Sequence, residues 1–203
     1  MTSGEGIHFE IATGAACLDF IYTGGVSGQA RWESLHAPAD LERWLRSSRL
    51  VSTAPLPPEA DLTAADLAQV RKLREVLWSC ANDLADGSAV RASDAQALNG
   101  WAQKPDLVPA LVEGRMEWKG PVIGPQLLST LARDAISLAA GPLARRVRRC
   151  AAADCSLLFV DTSRPGTRRW CAMTRCGNRT KARTRRAHRK DTRAGHQPDA
   201  REL

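Results

Sequence analysis

The chain has 203 residues, 43% hydrophobic and 25% charged, with a formal net charge of +7; this excludes a disordered chain and bounds one or two domains with a real core. The charge is split: residues 145–203 hold 17 Arg and Lys against 5 Asp and Glu, net +12, whereas residues 1–144 hold 12 against 17, net −5. An acidic body with a basic end predicts an anionic partner for that end.

The start, MTSGEGIHFE, has no basic stretch followed by an apolar one, so no secretory signal is expected. Apolar runs are too short to span a bilayer, so no membrane partner is expected and the localisation expected is cytoplasmic. The segment GAACLDFIYT (14–23) is apolar and compact, and periodicity does not separate a strand from a buried helix. A loop follows at 24–30. Asp40 is the expected N-cap of a short helix with Leu41, Trp44 and Leu45 on one face. Residues 52–60, STAPLPPEA, read as a linker.

The clearest helix begins after Thr63. Leu67, Val70, Leu73, Leu77, Cys80 and Leu84 keep helical spacing, and Gly87 is its stop. Ser93 with Gln96 resembles a capping box for a helix carrying Leu98 and Trp101. Residues 107–120 predict two short strands turning at Glu113-Gly114, with Pro109 at an edge. Pro125 opens a helix through Leu127, Leu128, Leu131, Ala135 and Leu138, ending at Gly141-Pro142. Cys17 and Cys80 read as small buried hydrophobes.

The chemistry lies in the last quarter. Cys150-x4-Cys155 and Cys171-x4-Cys176 are separated by fifteen residues. Each pair brings two thiolates together at low loop-closure cost, as a tetrahedral structural zinc site requires. In a reducing compartment such pairs favour metal over disulfides. Four thiolates leave no open coordination position, so catalysis is not expected there. Residues 157–161 predict a strand, 163–166 a turn and 168–171 the returning strand, with a helix starting near Cys176. Zinc knuckle, hairpin and helix make a treble-clef-like layout. So little apolar material leaves much of the stability to the metal.

From Arg175 to Lys190 a helix is basic all round. Arg175, Arg179, Arg183, Arg186 and Lys190 share one face, with Lys181, Arg185 and Arg189 in a neighbouring row. Such a helix repels itself unless polyanion phosphates neutralise it. His188 reads as a phosphate contact or plain surface. Arg145, Arg146, Arg148 and Arg149 read equally as phosphate contacts or as the exposed end of an element.

Arg169-Trp170-Cys171-x4-Cys176-Gly177-Asn178-Arg179, with the upstream cysteine pair and LFVDTSR, resembles the CGNR-type zinc finger. In that family the finger follows an ABATE domain, and CLDF (17–20) with the helices above is similar to it. Tyr22-Thr23 stands where that family carries an Asn-Thr pair. The resemblance implies a bacterial transcription regulator, with a finger that binds double-stranded DNA and an ABATE domain that senses a small-molecule effector or stress signal. It implies zinc on the four cysteines and backbone or DNA contacts from Asn178 and Arg179.

The architecture expected is therefore α+β: a mostly helical domain over 1–144 with a small β element, a zinc finger with a basic helix over 145–192, and a disordered tail over 193–203. An effector cleft is sought near Trp32, Trp44 or Trp101, although core packing is the commoner role of such residues. RNA association and a zinc-stapled protein-interaction module are the alternatives. His8, Asp19 and His36 show no nucleophile-base spacing, so no enzyme is expected. A homodimer fits a short finger that reads few base pairs.

Overall fold

The computed structural model describes residues 13–25, 33–52 and 54–194, with side chains described as far as residue 186. His8, Trp32, most of the 24–30 loop and the tail from 195 lie outside the described residues, as do the side chains of His188, Arg189 and Lys190. The order is α1 (Ala16–Ile21), α2 (Pro38–Ser47), β1 (Ala60–Asp61), α3 (Ala64–Ala85), α4 (Ala92–Ala102), β2 (Pro109–Val112), β3 (Arg115–Trp118), β4 (Val122–Ile123), α5 (Gly124–Ala140), β5 (Val147–Arg149), β6 (Leu158–Val160) and α6 (Asn178–Ala194). The fold is α+β as expected, about half helical, with three two-stranded sheets among the described residues, two in the body and one leading into the finger. No described helix is long and apolar enough to cross a membrane.

Helix α3 is the axis of the body. Its N-terminus closes a reciprocal box: Asp66 N–H donates to Thr63 Oγ1 at 3.2 Å, and Thr63 N–H donates to Asp66 Oδ2 at 2.9 Å. Of the predicted stripe, Leu67, Val70, Leu73, Leu77 and Cys80 are buried and Leu84 is partly buried against the same core. It packs on α1, α2, α4 and α5, and on β5 at the far end. α5 presents Leu127, Leu128, Leu131, Ala135 and Leu138 to the same core.

The ambiguous segment 14–23 is a helix. Six residues are too few to show a period, and nearly all are buried. Its start is capped from outside: Cys17 N–H donates to Asp134 Oδ2 of α5 at 2.8 Å. Asp19 accepts from Thr13 N–H at 3.0 Å and from Arg49 Nε at 2.5 Å, so CLDF carries a structural clamp.

Two expected caps are corrected. Asp40 is not the N-cap of α2 but lies inside its first turn, where Oδ2 accepts from His36 and Ala37 N–H, each at 2.9 Å. α4 starts at Ala92, so Ser93 lies inside its first turn and not at its cap; Asp94 of that turn accepts from Ser79 Oγ of α3 at 2.5 Å. The β2–β3 hairpin is as expected. Glu113 (φ 48°) and Gly114 (φ 78°) are both left-handed, as its two-residue turn demands.

The finger's hairpin differs from expectation. β6 pairs antiparallel with β5, which precedes the first cysteine, and residues 168–171 form no strand. Val147↔Val160 and Arg149↔Leu158 register the pair. Residues 168–171 instead run extended beside the knuckle, where Ala151 N–H donates to Arg169 O at 2.8 Å.

Alternation along β6 divides its side chains between two cores. Leu158 and Val160 join Val147 in the helical core, while Phe159 joins Cys150, Leu157, Cys171 and Cys176 in a second cluster. The chain before α1 docks on the same strand. Val160 N–H donates to Thr13 O at 2.6 Å, and Gly14 (φ +102°) approaches so closely that a Cβ there would lie 2.9 Å from Val160 Cβ.

A candidate zinc centre and its basic helix

The first knuckle, 150–155, is held by backbone. Cys155 N–H donates to Ala152 O at 3.0 Å, and Cys150 N–H donates to Leu157 O at 2.8 Å. Cys176 of the second pair is carried by one wide π-type turn, Met173–Gly177, which Cys171 precedes, and α6 starts only at Asn178. Arg175 therefore belongs to the turn, not to the α-helix. Gly177 is buried beneath Met173 and Trp170; a Cβ there would meet Met173 Sδ at 2.6 Å.

The four Sγ atoms of Cys150, Cys155, Cys171 and Cys176 lie within 4.8 Å of one another. Cys171 and Cys176 are 3.5 Å apart, and Cys155 and Cys171 are 3.8 Å apart. A tetrahedral zinc with Zn–S bonds of about 2.3 Å separates its sulfurs by about 3.8 Å. The donor set fits zinc in number, softness and spacing. Without a cation, crowded sulfurs cannot all ionise. The hydrogen bond from Cys171 lowers the Cys155 thiol to about 5, the same contact pushes Cys171 well up, and burial lifts Cys176 to about 11. A dication relieves that conflict and holds all four as thiolates.

Four thiolates exceed the charge of one dication, and the surroundings answer the excess. Cys171 N–H donates to Cys150 Sγ at 3.5 Å, and Arg179 Nη2 donates to Cys176 Sγ at 3.4 Å. Arg179 also pairs with Asp154 Oδ1 at 3.0 Å, and Arg183 pairs with Asp154 Oδ2 at 3.0 Å. Desolvation pushes the Asp154 carboxyl up, but the Arg183 hydrogen bond and the charges of both arginines hold it below its usual value. Asp154 thus clasps α6 to the first knuckle. Arg179→Ala is expected to lower zinc affinity about tenfold, read by chelator competition.

Asp161 is a second hub. It is fully buried and accepts from Ser163 N–H at 2.9 Å, Ser163 Oγ at 2.6 Å and Arg168 N–H at 2.9 Å. The Ser163 hydroxyl leads in lowering its carboxyl. The Arg168 guanidinium then lies 4.4 Å over the Phe159 ring. Neither acid was picked out by sequence reasoning. The available signal was their isolation: Asp154 and Asp161 are the two carboxylates between residues 145 and 190.

The chain matches two family patterns. Residues 14–142 match ABATE, described as a "putative stress-induced transcription regulator". The chain belongs to the ABATE family. Residues 146–189 match the CGNR zinc finger, so the cysteine quartet of this ABATE protein is a zinc site. Neither family is described as an enzyme. No curated protein matches the chain.

Tyr22 ties the ABATE region to the finger. Its hydroxyl accepts from Leu158 N–H and donates to Leu158 O at 3.5 Å. The Oγ1 of Thr23 accepts from Arg74 Nη1 at 3.2 Å.

The predicted basic residues divide by what holds them. Arg175 is partly buried, and Asn178 is exposed at the start of α6. Arg179 and Arg183 serve the Asp154 clasp, while Lys181, Arg185 and Arg186 are exposed. Arg189 and Lys190 lie on the backbone of α6. Upstream, Arg146 donates to Ser163 O at 2.8 Å, Arg148 to Arg145 O at 2.7 Å, and Arg149 to Asn82 Oδ1 at 2.8 Å.

Of the tryptophans proposed for an effector cleft, Trp44 packs edge-on against Phe20 with centroids 4.8 Å apart, and Trp101 is partly buried against the helical core. Both roles are packing.

Proposed function

We propose that this ABATE protein is a transcription regulator whose zinc finger grips double-stranded DNA through α6, while residues 1–144 sense a small ligand or stress signal. The observation that carries the reading is the exposed row on α6, set against a fixed one. Arg179 and Arg183 are tied to Asp154, Arg183 at the solvent edge with 55% of its side chain exposed. Asn178, Lys181, Arg185 and Arg189 fall on the neighbouring face at helical spacing, and Arg186 and Lys190 extend the first row beyond the clasp. Such a helix gains affinity by releasing counterions from phosphates.

One short finger reads few base pairs, so a pair of protomers on two half-sites is the expected bound form. The test is binding of the purified protein to mixed duplex DNA and to single-stranded RNA at two salt concentrations. Steep, duplex-preferring binding is expected. Arg185→Ala and Arg186→Ala are each expected to flatten the slope of log affinity against log salt by about one unit per lost phosphate contact. Unchanged slopes, or zinc without nucleic-acid binding, would overturn the reading in favour of a protein-docking module.

A further inference from the structure

A cavity of about 460 Å³ opens where the C-terminal ends of α3 and α5 meet α4. Its wall is hydrocarbon: Leu84 of α3, Val90 of the following loop, Leu98 of α4 and Ile136 of α5, with alanines between them. Ser88, Asn99 and Arg145 supply polar groups, and no carboxylate lines it. The charges nearby are already matched, since Asp86 pairs with Arg149 at 3.2 Å and Asp83 with Arg91 at 3.2 Å. Arg145 makes no ion pair among the described residues. A pocket of this size, apolar in its walls with one cation at the rim, suits an amphipathic anion.

The position also matters. Arg145 and Ala144 form the turn that leads into β5 and so to Cys150. Gly87, also in the wall, follows Asp86, the partner of Arg149 on β5. Two lining segments of the cavity are therefore joined to the strand that leads into the zinc knuckle.

We infer that this cavity is the effector site and that its ligand is a monocarboxylate with a hydrocarbon body, the acid on Arg145 and the body between α3, α4 and α5. The inference rests on the sensing role proposed for residues 1–144.

The test is calorimetric titration of the full zinc-loaded chain with sodium hexanoate, octanoate and decanoate, with n-octanol as the neutral control. Affinity is expected to rise about fifteenfold for each two methylenes added, from the transfer energy of buried CH₂ groups. Octanoate is expected to bind about tenfold tighter than n-octanol, and Arg145→Gln to erase that difference. Ala139→Leu narrows the cavity from α5 without removing any polar group, and is expected to weaken decanoate binding about tenfold while leaving the thermal midpoint within a few degrees. Absence of saturable heat with decanoate would overturn the proposal. So would chain-length independence, or decanoate binding that neither substitution weakens. These readouts involve no DNA, so a failure of the regulator reading in the salt experiment leaves them decisive for the site.

Discussion

Cys171→Ser is expected to release zinc and unfold the finger while the helical body stays folded. The apolar cluster around the metal is small: Leu157, Phe159, Ala152 and the cysteines themselves, with Tyr22 and Trp170 partly buried against it. A structural zinc contributes about 10–16 kcal/mol of apparent binding energy in small fingers, far more than that cluster supplies. Removing one thiolate opens the coordination sphere and leaves Arg179 facing a broken site. Metal analysis should return less than one zinc per chain, and amides of the two knuckles, 150–156 and 169–180, should exchange freely. Protection in α3 and α5 should persist, because Val147, Leu158 and Val160 belong to the helical core. Stoichiometric zinc with undiminished DNA affinity would refute the ligand assignment.

Arg74→Met is expected to destabilise the body by about 3 kcal/mol, the cost of removing one partner from a buried ion pair. Arg74 is 3% exposed and bonds Glu33 through both terminal nitrogens, one of them at 3.0 Å, while also donating to Thr23 Oγ1 at 3.2 Å. Methionine keeps the bulk and leaves the Glu33 carboxylate without its cation. The thermal midpoint should fall by roughly 6–12 °C for a chain of this size. Acid unfolding gives an independent check. Burial pushes the Glu33 carboxyl up, but the Arg74 hydrogen bonds hold it below its ordinary 4.5. A folded-state value that is lowered contributes stability above pH 4.5, and that contribution disappears as pH falls through the lowered value. The wild-type protein should lose this share on acidification, and Arg74→Met should already lack it. Equal midpoints at neutral pH would show that the pair is not part of the body's stability.

Legibility followed the length and redundancy of each signal. α3 announced itself three times, by cap, by spacing and by stop, and the structure keeps all three. The cysteine quartet was equally plain, because only a few geometries satisfy two close pairs fifteen residues apart. α1 was not readable as a helix. Six apolar residues carry no period, and its cap, Asp134, is 117 positions away. The finger's hairpin was paired with the wrong segment because β5 is written in arginines. Val147-Arg148-Arg149 reads as charge, yet two of its three side chains are merely exposed edges of a strand whose third is fully buried. Arg179 and Arg183 looked alike with Arg185 and Arg186 in a basic run. Only Asp154, a single carboxylate from another knuckle, separates those that orient the helix from those that present charge.

The double allegiance of β6 reaches beyond stability. Sequence comparison places one family's end at 142 and the other's start at 146, as though a finger were a detachable part. Three neighbouring side chains contradict that: Leu158 and Val160 are fitted to one core, Phe159 to the other, and Tyr22 bonds the backbone between them. A recombination joint at 146 would import a strand cut for another host. A finger grafted from another chain at 146 is therefore expected to need matched residues at Val147, Leu158, Val160 and Tyr22 before it seats on this body.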